Sequence, residues 1–407
     1  MKVAVVGGGL AGLAAALELV DAGQAVTVYE ARPTLGGAVQ TLPEREGDPE
    51  PPPDNGQHIA LGCFTEYLGF LERIGEGDSF LRTRLGLPVL DADGRVATIA
   101  PSLSGLLRYT HLPLRDRLRL PVTTLRLRSA RSHPKETFGG LLRRLGETDT
   151  SINCFWDVFI RPALNLRCDE VDAEAGLFTV RTALLGPRGN SDLVLPTKPL
   201  GWMHGDAAGR VLGDRVRLEQ RVEALDELDA DAVVVAVPPR ESARLLGEPD
   251  PALEDSPIVS VHLWFDRQLL EQPLAALLGS DAHWVFDRGS LTGERPERGQ
   301  YLTVVSSGVP ELLEVRGREL VERIAGQLTE RLGEADLLWS RVSREPYATI
   351  ALRPGVERPG VETSSPNVVR AGTWTDTGWP ATMESAIRSG RMAAQHILSR
   401  SSAKVTA

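Results

Sequence analysis

The 407-residue sequence predicts an α/β protein in two domains. One domain is built on a parallel sheet assembled from discontinuous parts of the chain. The other is α+β, with a mixed sheet and helices, and lies between those parts. Three stretches predict this: "KVAVVGGGLAGLAAALEL" at residues 2–19, "DAVVVAVPP" at 231–239, and "NVVRAGTWTDTGWPATMESAIRSGRMAAQHIL" at 367–398. Each contains a short run of β-branched apolar residues that ends at a glycine or proline break, as strands buried on both faces do.

The first stretch carries the most information. Lys2 to Val6 reads as a buried strand, Gly7, Gly9 and Gly12 follow in G-x-G-x-x-G spacing, and an Ala/Leu helix runs to near Gly23. Val26 to Tyr29 forms the second strand, and Glu30 closes it eighteen positions after Gly12. Gly7 permits the tight turn, Gly9 lets backbone approach a pyrophosphate, and Gly12 lets the helix sit close to the strand. Leu10 and Ala11 open the helix, where free N–H groups and a partial positive charge favour an anion. Glu30 can accept hydrogen bonds from ribose hydroxyls. The bland alternative is a glycine-rich structural turn, but strand, glycines, helix, strand and acid in this order specify a Rossmann-like dinucleotide site. Ala31 and then the pair Gly36–Gly37 follow. A second glycine pair so soon after the acid resembles FAD enzymes of the glutathione reductase and amine oxidase type, which implies FAD. Many of those proteins have Arg after the pair, where this chain has Ala38.

Next along the chain, "RVRLEQRVEALDELDADAVVVAVPP" supplies strand, turn and strand, with Val233 to Val237 stopped by Pro238 and Pro239. In the C-terminal stretch Val368 and Val369 read as a strand, Ala371–Gly372 as a tight turn, and Pro380 as the first residue of a helix. Met383, Ile387, Met392 and Ile397 recur at near-helical spacing. This turn-loop-helix resembles the second FAD motif of the flavin amine oxidase superfamily. The resemblance implies that Gly372 and Thr373 meet the ribityl phosphate, and that Pro380, Ala381 and Met383 bring a helix start to the flavin. Thr373 stands where Asp is usual. It also implies that Val222 holds adenine through backbone contacts. The FAD-binding domain is therefore expected over 1–75, 186–250 and 360–407, and the substrate domain over 76–185 and 251–359. In the latter, "PIVSVHLWFD" and "YLTVVSSG" read as strands, and Leu320, Ile324, Leu328 and Leu332 as one helix face. "EREGDPEPPP" reads as a surface loop.

Composition excludes several function classes. A net charge of −10 gives no general attraction to nucleic acid. Cys63, Cys154 and Cys168 are scattered and odd in number, which fits a reducing cytoplasm and neither a disulfide framework nor a zinc site. No apolar run approaches the roughly 18 residues of a membrane span. One segment departs from the acidic average: residues 101–135 hold seven Arg and Lys135 against Asp116 alone, with leucines interleaved. Such a mix either rests on an anionic membrane surface, at the inner face of the membrane, or forms a solvated helical face packed by its leucines.

Four further stretches sharpen the reading: "DNGQHIALGCF", "FWDVFIRPALNLRCDEVDAEAG", "SDLVLPTKPL" and "AGTWTDTGWPATMESAIRSG". Together they resemble the squalene-associated flavoproteins, the hydroxysqualene dehydroxylases of bacterial hopanoid pathways. The resemblance implies reductive removal of an allylic hydroxyl, an isoprenoid lipid substrate, synthases of the squalene pathway as partners, and an unnamed electron donor. Gly56 and Gln57 are then expected to wall the flavin, with glycine needed because backbone approaches the ring. Hydroxide is a poor leaving group, so a proton donor is required. His58 is the first candidate and Asp54 the second, while Asp54 serves equally well as a turn cap. Trp156, Trp264, Trp284, Tyr347 and Trp379 are candidates for lining a pocket, and Asn165 for orienting a hydroxyl or capping a helix. No cluster has metal-ligand spacing. A carotenoid or squalene desaturase, a flavin amine oxidase with Lys198 near the flavin, and a non-enzymatic FAD-binding escort are the alternatives.

Overall fold

The computed structural model describes residues 1–405. Among them a parallel sheet forms in the order Val368–Arg370, Ala232–Val235, Lys2–Val6, Ala25–Tyr29, Val216–Arg217. Every neighbouring pair is parallel. These strands come from the two ends and the middle of the chain, so the sheet closes only when distant segments meet. The long C-terminal helix Met383–Val405 lies along Leu10–Asp21, and Leu13, Leu17, Val5, Val234 and Ile387 share one buried cluster.

A mixed sheet runs in the order Leu337–Ile350, Asp255–Phe265, Gln300–Ser307, Trp284–Asp287, Leu274–Leu277, Leu87–Leu90, Val96–Ile99. Its pairs are antiparallel except Leu274–Leu277 against Leu87–Leu90. The two strands expected here are both present, in register through Val261 opposite Val304. Helix Gly317–Leu332 covers the sheet with Leu320, Ile324 and Leu328 fully buried, since residues four apart share one face. A small third sheet joins Ala60–Leu61, Leu193–Pro196 and Phe80–Thr83.

Two expectations are corrected. The C-terminal helix begins at Met383, not at Pro380. The hydroxyl of Thr382 accepts from Ser385 N at 3.4 Å, so Thr382 takes the capping position and Pro380 lies in the loop before it. The "EREGDPEPPP" loop is only half a surface loop. Its Asp48 forms a buried ion pair of 2.5 Å with Arg341 of the edge strand, and Pro49, Pro51 and Pro53 are buried. No helix of the described residues is long and apolar enough to cross a membrane.

Candidate active site

Parallel strands end on the same edge of a sheet, and here that edge collects Gly7, Glu30, Ala236 and Ala371–Gly372. Gly7 N donates to Tyr29 O at 2.8 Å and Ala371 N to Val235 O at 2.9 Å, which ties the turns to one another. The first helix starts at Leu10 and Ala11. Gly9 is its cap, no side chain bonds its N–H groups, and its first turn holds no acid. That leaves an N-terminus suited to an anion. The second glycine pair lies directly on the first: Gly36 N donates to Gly8 O at 2.8 Å, and a Cβ on Gly37 would stand 2.8 Å from Gly9 Cα. Glu30, 9% exposed, accepts from Gly8 N at 2.7 Å and from Arg32 N at 2.8 Å. Each carboxylate oxygen keeps a lone pair for a ribose hydroxyl. Ala31 is exposed at the rim. Val222 packs with Val6 and Val235, and its carbonyl accepts from Arg244 at 3.4 Å. Gly372 N donates to Ser389 Oγ at 2.9 Å, beside half-buried Thr373. Pro380 and Ala381 are buried, and Met383 is half-buried. A cradle of bare backbone, a helix N-terminus and a buried carboxylate fits a dinucleotide.

The segment 54–58 reaches this cradle through a short ladder against residues 38–41. Asn55 N donates to Gln40 O at 2.9 Å and Asn55 Nδ2 to Ala38 O at 2.8 Å, with Thr41 bridged to Asp54. Asp54 is 2% exposed and held by protein groups. It accepts from Thr41 Oγ1 and Leu200 N, both at 2.8 Å, and pairs with the equally buried Arg288 at 3.0 Å. Burial raises its carboxyl pKa, against the pull of Arg288. Arg288 also donates to Gln57 Oε1 at 3.0 Å, fixing which way that amide faces. A Cβ on Gly56 would meet Ser260 Oγ at 2.8 Å. A side chain here would have to turn the Ser260 hydroxyl aside, so the mixed sheet comes close to this backbone.

His58 is half-buried and its imidazole has no hydrogen-bond partner among the described residues. Burial pushes it down to about 4, so it is neutral at pH 7. It lies close enough to His204 for the two charges to oppose each other. The π-helical turn Trp202–Asp206 places His204 between Leu200 O at 2.7 Å and Tyr67 OH at 2.8 Å, wholly buried. Sequence reasoning missed Glu345, at an irregularity of strand Leu337–Ile350. Its carboxyl lies close to the Asn55 side chain and to Arg32, and burial holds its pKa above the ordinary value. It also missed Arg288, 231 positions from its partner Gln57.

The remaining candidates separate. Trp156 and Trp284 are core residues, Trp264 donates to Arg298 O at 2.8 Å, and Trp379 packs on Phe64, Phe178 and the Arg388 guanidinium. Tyr347 is 70% exposed. Asn165 ends a helix in the left-handed conformation, φ 53°, and clamps Ser256 O and Gly308 N, so it caps. Lys198 pairs with Glu76 at 2.7 Å with half its side chain in solvent. No group of residues suited to a metal occurs among those described.

Residues 10–398 match the flavin containing amine oxidoreductase family. The chain is 29% identical to the hydroxysqualene dehydroxylase of Sinorhizobium fredii over 98% of both chains. It is 24% identical to the zeta-carotene desaturase of Synechocystis sp. over 100% of this chain and 99% of that one. Its fold superimposes on cyclohexylamine oxidase from Brevibacterium oxydans with a TM-score of 0.72 at 19% identity, covering 98% and 99% of the two chains. The chain belongs to the flavin containing amine oxidoreductase family. It is an FAD-dependent oxidoreductase.

Proposed function

We propose that this member of the flavin containing amine oxidoreductase family removes the allylic hydroxyl of hydroxysqualene reductively, giving squalene. The observation that carries the reading is similarity to a hydroxysqualene dehydroxylase along 98% of the chain. That similarity spans the segments that build the cradle and those that build the mixed sheet. A flavin amine oxidase reading is disfavoured by Lys198, which is paired with Glu76 at the surface, and by Lys2 and Lys135, which are exposed.

FAD supplies the hydride when reduced. The residues that would hold its nucleotide are Gly7, Gly9, Leu10, Ala11, Gly12, Glu30, Ala31, Gly36, Gly37, Val222, Gly372 and Thr373, with Gly56, Gln57, Pro380, Ala381 and Met383 beside its ring. In the reaction a C–O bond breaks, a C–H bond forms, and the departing hydroxide takes one proton to leave as water. The chain must deliver that proton. Asp54 is committed to Arg288, Thr41 and Leu200, so it positions the segment. Neutral His58, with no hydrogen-bond partner among the described residues, is free to accept a hydrogen bond from the substrate hydroxyl. Glu345, held above its ordinary pKa by burial and close to Asn55, is a second candidate for delivering the proton, beside His58.

The full-length similarity to a zeta-carotene desaturase supports a second reading, in which electrons flow from substrate to flavin. Anaerobic mixing separates the two. Photoreduced protein should regain oxidised-flavin absorbance when hydroxysqualene is added. Oxidised protein bleached by zeta-carotene, with no reoxidation by hydroxysqualene, would establish the second reading instead.

A further inference from the structure

The basic segment 101–135 folds into two helices, Leu103–Arg108 and Leu114–Leu127. Six of its leucines look alike in sequence, but the fold divides them. Leu112, Leu120 and Leu127 are buried at 2% or less. Leu114, Leu118 and Leu125 stand 61%, 56% and 63% exposed, joined by Val122 at 49% and by Leu103 at 62% from the preceding helix. At 3.6 residues per turn, positions 114, 118, 122 and 125 fall within about 80° of arc. Asp116, Leu120, Thr123 and Leu127 occupy the opposite side and are buried. The helix therefore has an inner stripe that packs on the protein and an outer apolar stripe with no partner among the described residues.

The arginines border that outer stripe. By the same periodicity Arg115, Arg119 and Arg126 lie along one side of it, Arg117 and Arg128 along the other. None of the seven arginines from 108 to 131 meets a carboxylate among the described residues. Arg117, Arg119 and Arg126 donate to the carbonyls of Leu107, Gly146 and Leu145, while Arg108, Arg115, Arg128 and Arg131 are exposed. In a chain of net charge −10 with many Arg–carboxylate pairs elsewhere, this local surplus is distinctive.

We propose that this face docks on the surface of an anionic lipid bilayer, with Leu103, Leu114, Leu118, Val122 and Leu125 in the acyl boundary and the flanking arginines at the headgroups. A leucine stripe between two rows of guanidinium groups matches a bilayer interface, apolar below and negative above. A second copy of the chain fits poorly, because two-fold pairing would set unpaired arginines against the same arginines. Nucleic acid offers no partner for the leucines. The proposal stands on this surface alone and is independent of which isoprenoid is turned over.

The test is vesicle flotation of the full-length, FAD-loaded protein. The vesicles are phosphatidylcholine alone or mixed with phosphatidylglycerol, at low and high salt. The protein should float with the anionic vesicles, less so at high salt. Leu118→Ser/Leu125→Ser should reduce binding by about tenfold or more while keeping flavin absorbance. Arg115→Gln/Arg128→Gln, on exposed positions, should abolish the preference for anionic vesicles even if the leucine variant fails to fold. Wild-type protein that floats with neither vesicle would overturn the proposal. So would undiminished flotation of folded leucine variant, or a dimer in ultracentrifugation that the leucine substitutions dissolve.

Discussion

Gly9 and Gly12 sit in one motif but do different work, and substitution can separate them. A Cβ on Gly12 would lie 1.9 Å from Gly7 O, a backbone clash that damages the fold itself. A Cβ on Gly9 meets nothing closer than Gly37 Cα at 3.7 Å. Gly9→Ala should therefore leave the thermal unfolding of the apoprotein close to wild type, yet weaken FAD retention, measured as flavin released per chain. Gly9→Ala protein with wild-type flavin content would contradict the cradle. If Glu345 delivers the proton, Glu345→Gln should keep FAD and lose turnover by about two to four orders of magnitude, the usual worth of a general acid. Equal turnover in that variant would return the role to His58. His204 makes a stability prediction. Its folded value of about 4 lies below the ordinary 6.5, so the unfolded chain takes the proton first as pH falls. That stability is complete above 6.5 and is lost toward 4, by about 3 kcal/mol over the window. Urea midpoints should drop from pH 7 to 4.5, and less steeply in His204→Gln.

At the scale of elements, the two glycine loops were legible because their requirements are local: a strand, a turn that only glycine makes, and a helix start within a dozen residues. The C-terminal helix was legible by its periodicity, but its start was misplaced because Pro380 and Thr382 are both good openers and only the fold decides between them. The segment 54–58 was legible as backbone near a cofactor, whereas its support was not. Arg288, Ser260 and Glu345 arrive from the mixed sheet, far away in the chain, and nothing about a lone Arg in sequence marks it as buried. That support is testable. Arg288→Met leaves Asp54 buried without its cation, which should cost about 3–5 kcal/mol in urea unfolding. Adding Asp54→Asn should recover much of the loss. A cost near zero for the single variant would mean the pair does not hold segment 54–58 in place.

For the whole molecule, function depends on the chain's two ends and middle closing one parallel sheet, while the mixed sheet presses on segment 54–57 from the other side. Fold likeness alone spans amine oxidation and other chemistry, because the same scaffold hosts many reactions. The side chains bear on the chemistry: Lys198 is paired at the surface, His58 is neutral with no hydrogen-bond partner among the described residues, and the half-buried Glu345 carboxyl lies close to Asn55. The most direct test is mass analysis of the product formed from hydroxysqualene by the FAD-loaded protein under anaerobic, flavin-reducing conditions. The account predicts squalene, with the hydroxyl oxygen gone and one hydrogen in its place. Unchanged hydroxysqualene, alongside newly desaturated product when the oxidised protein is given a carotene, would contradict it.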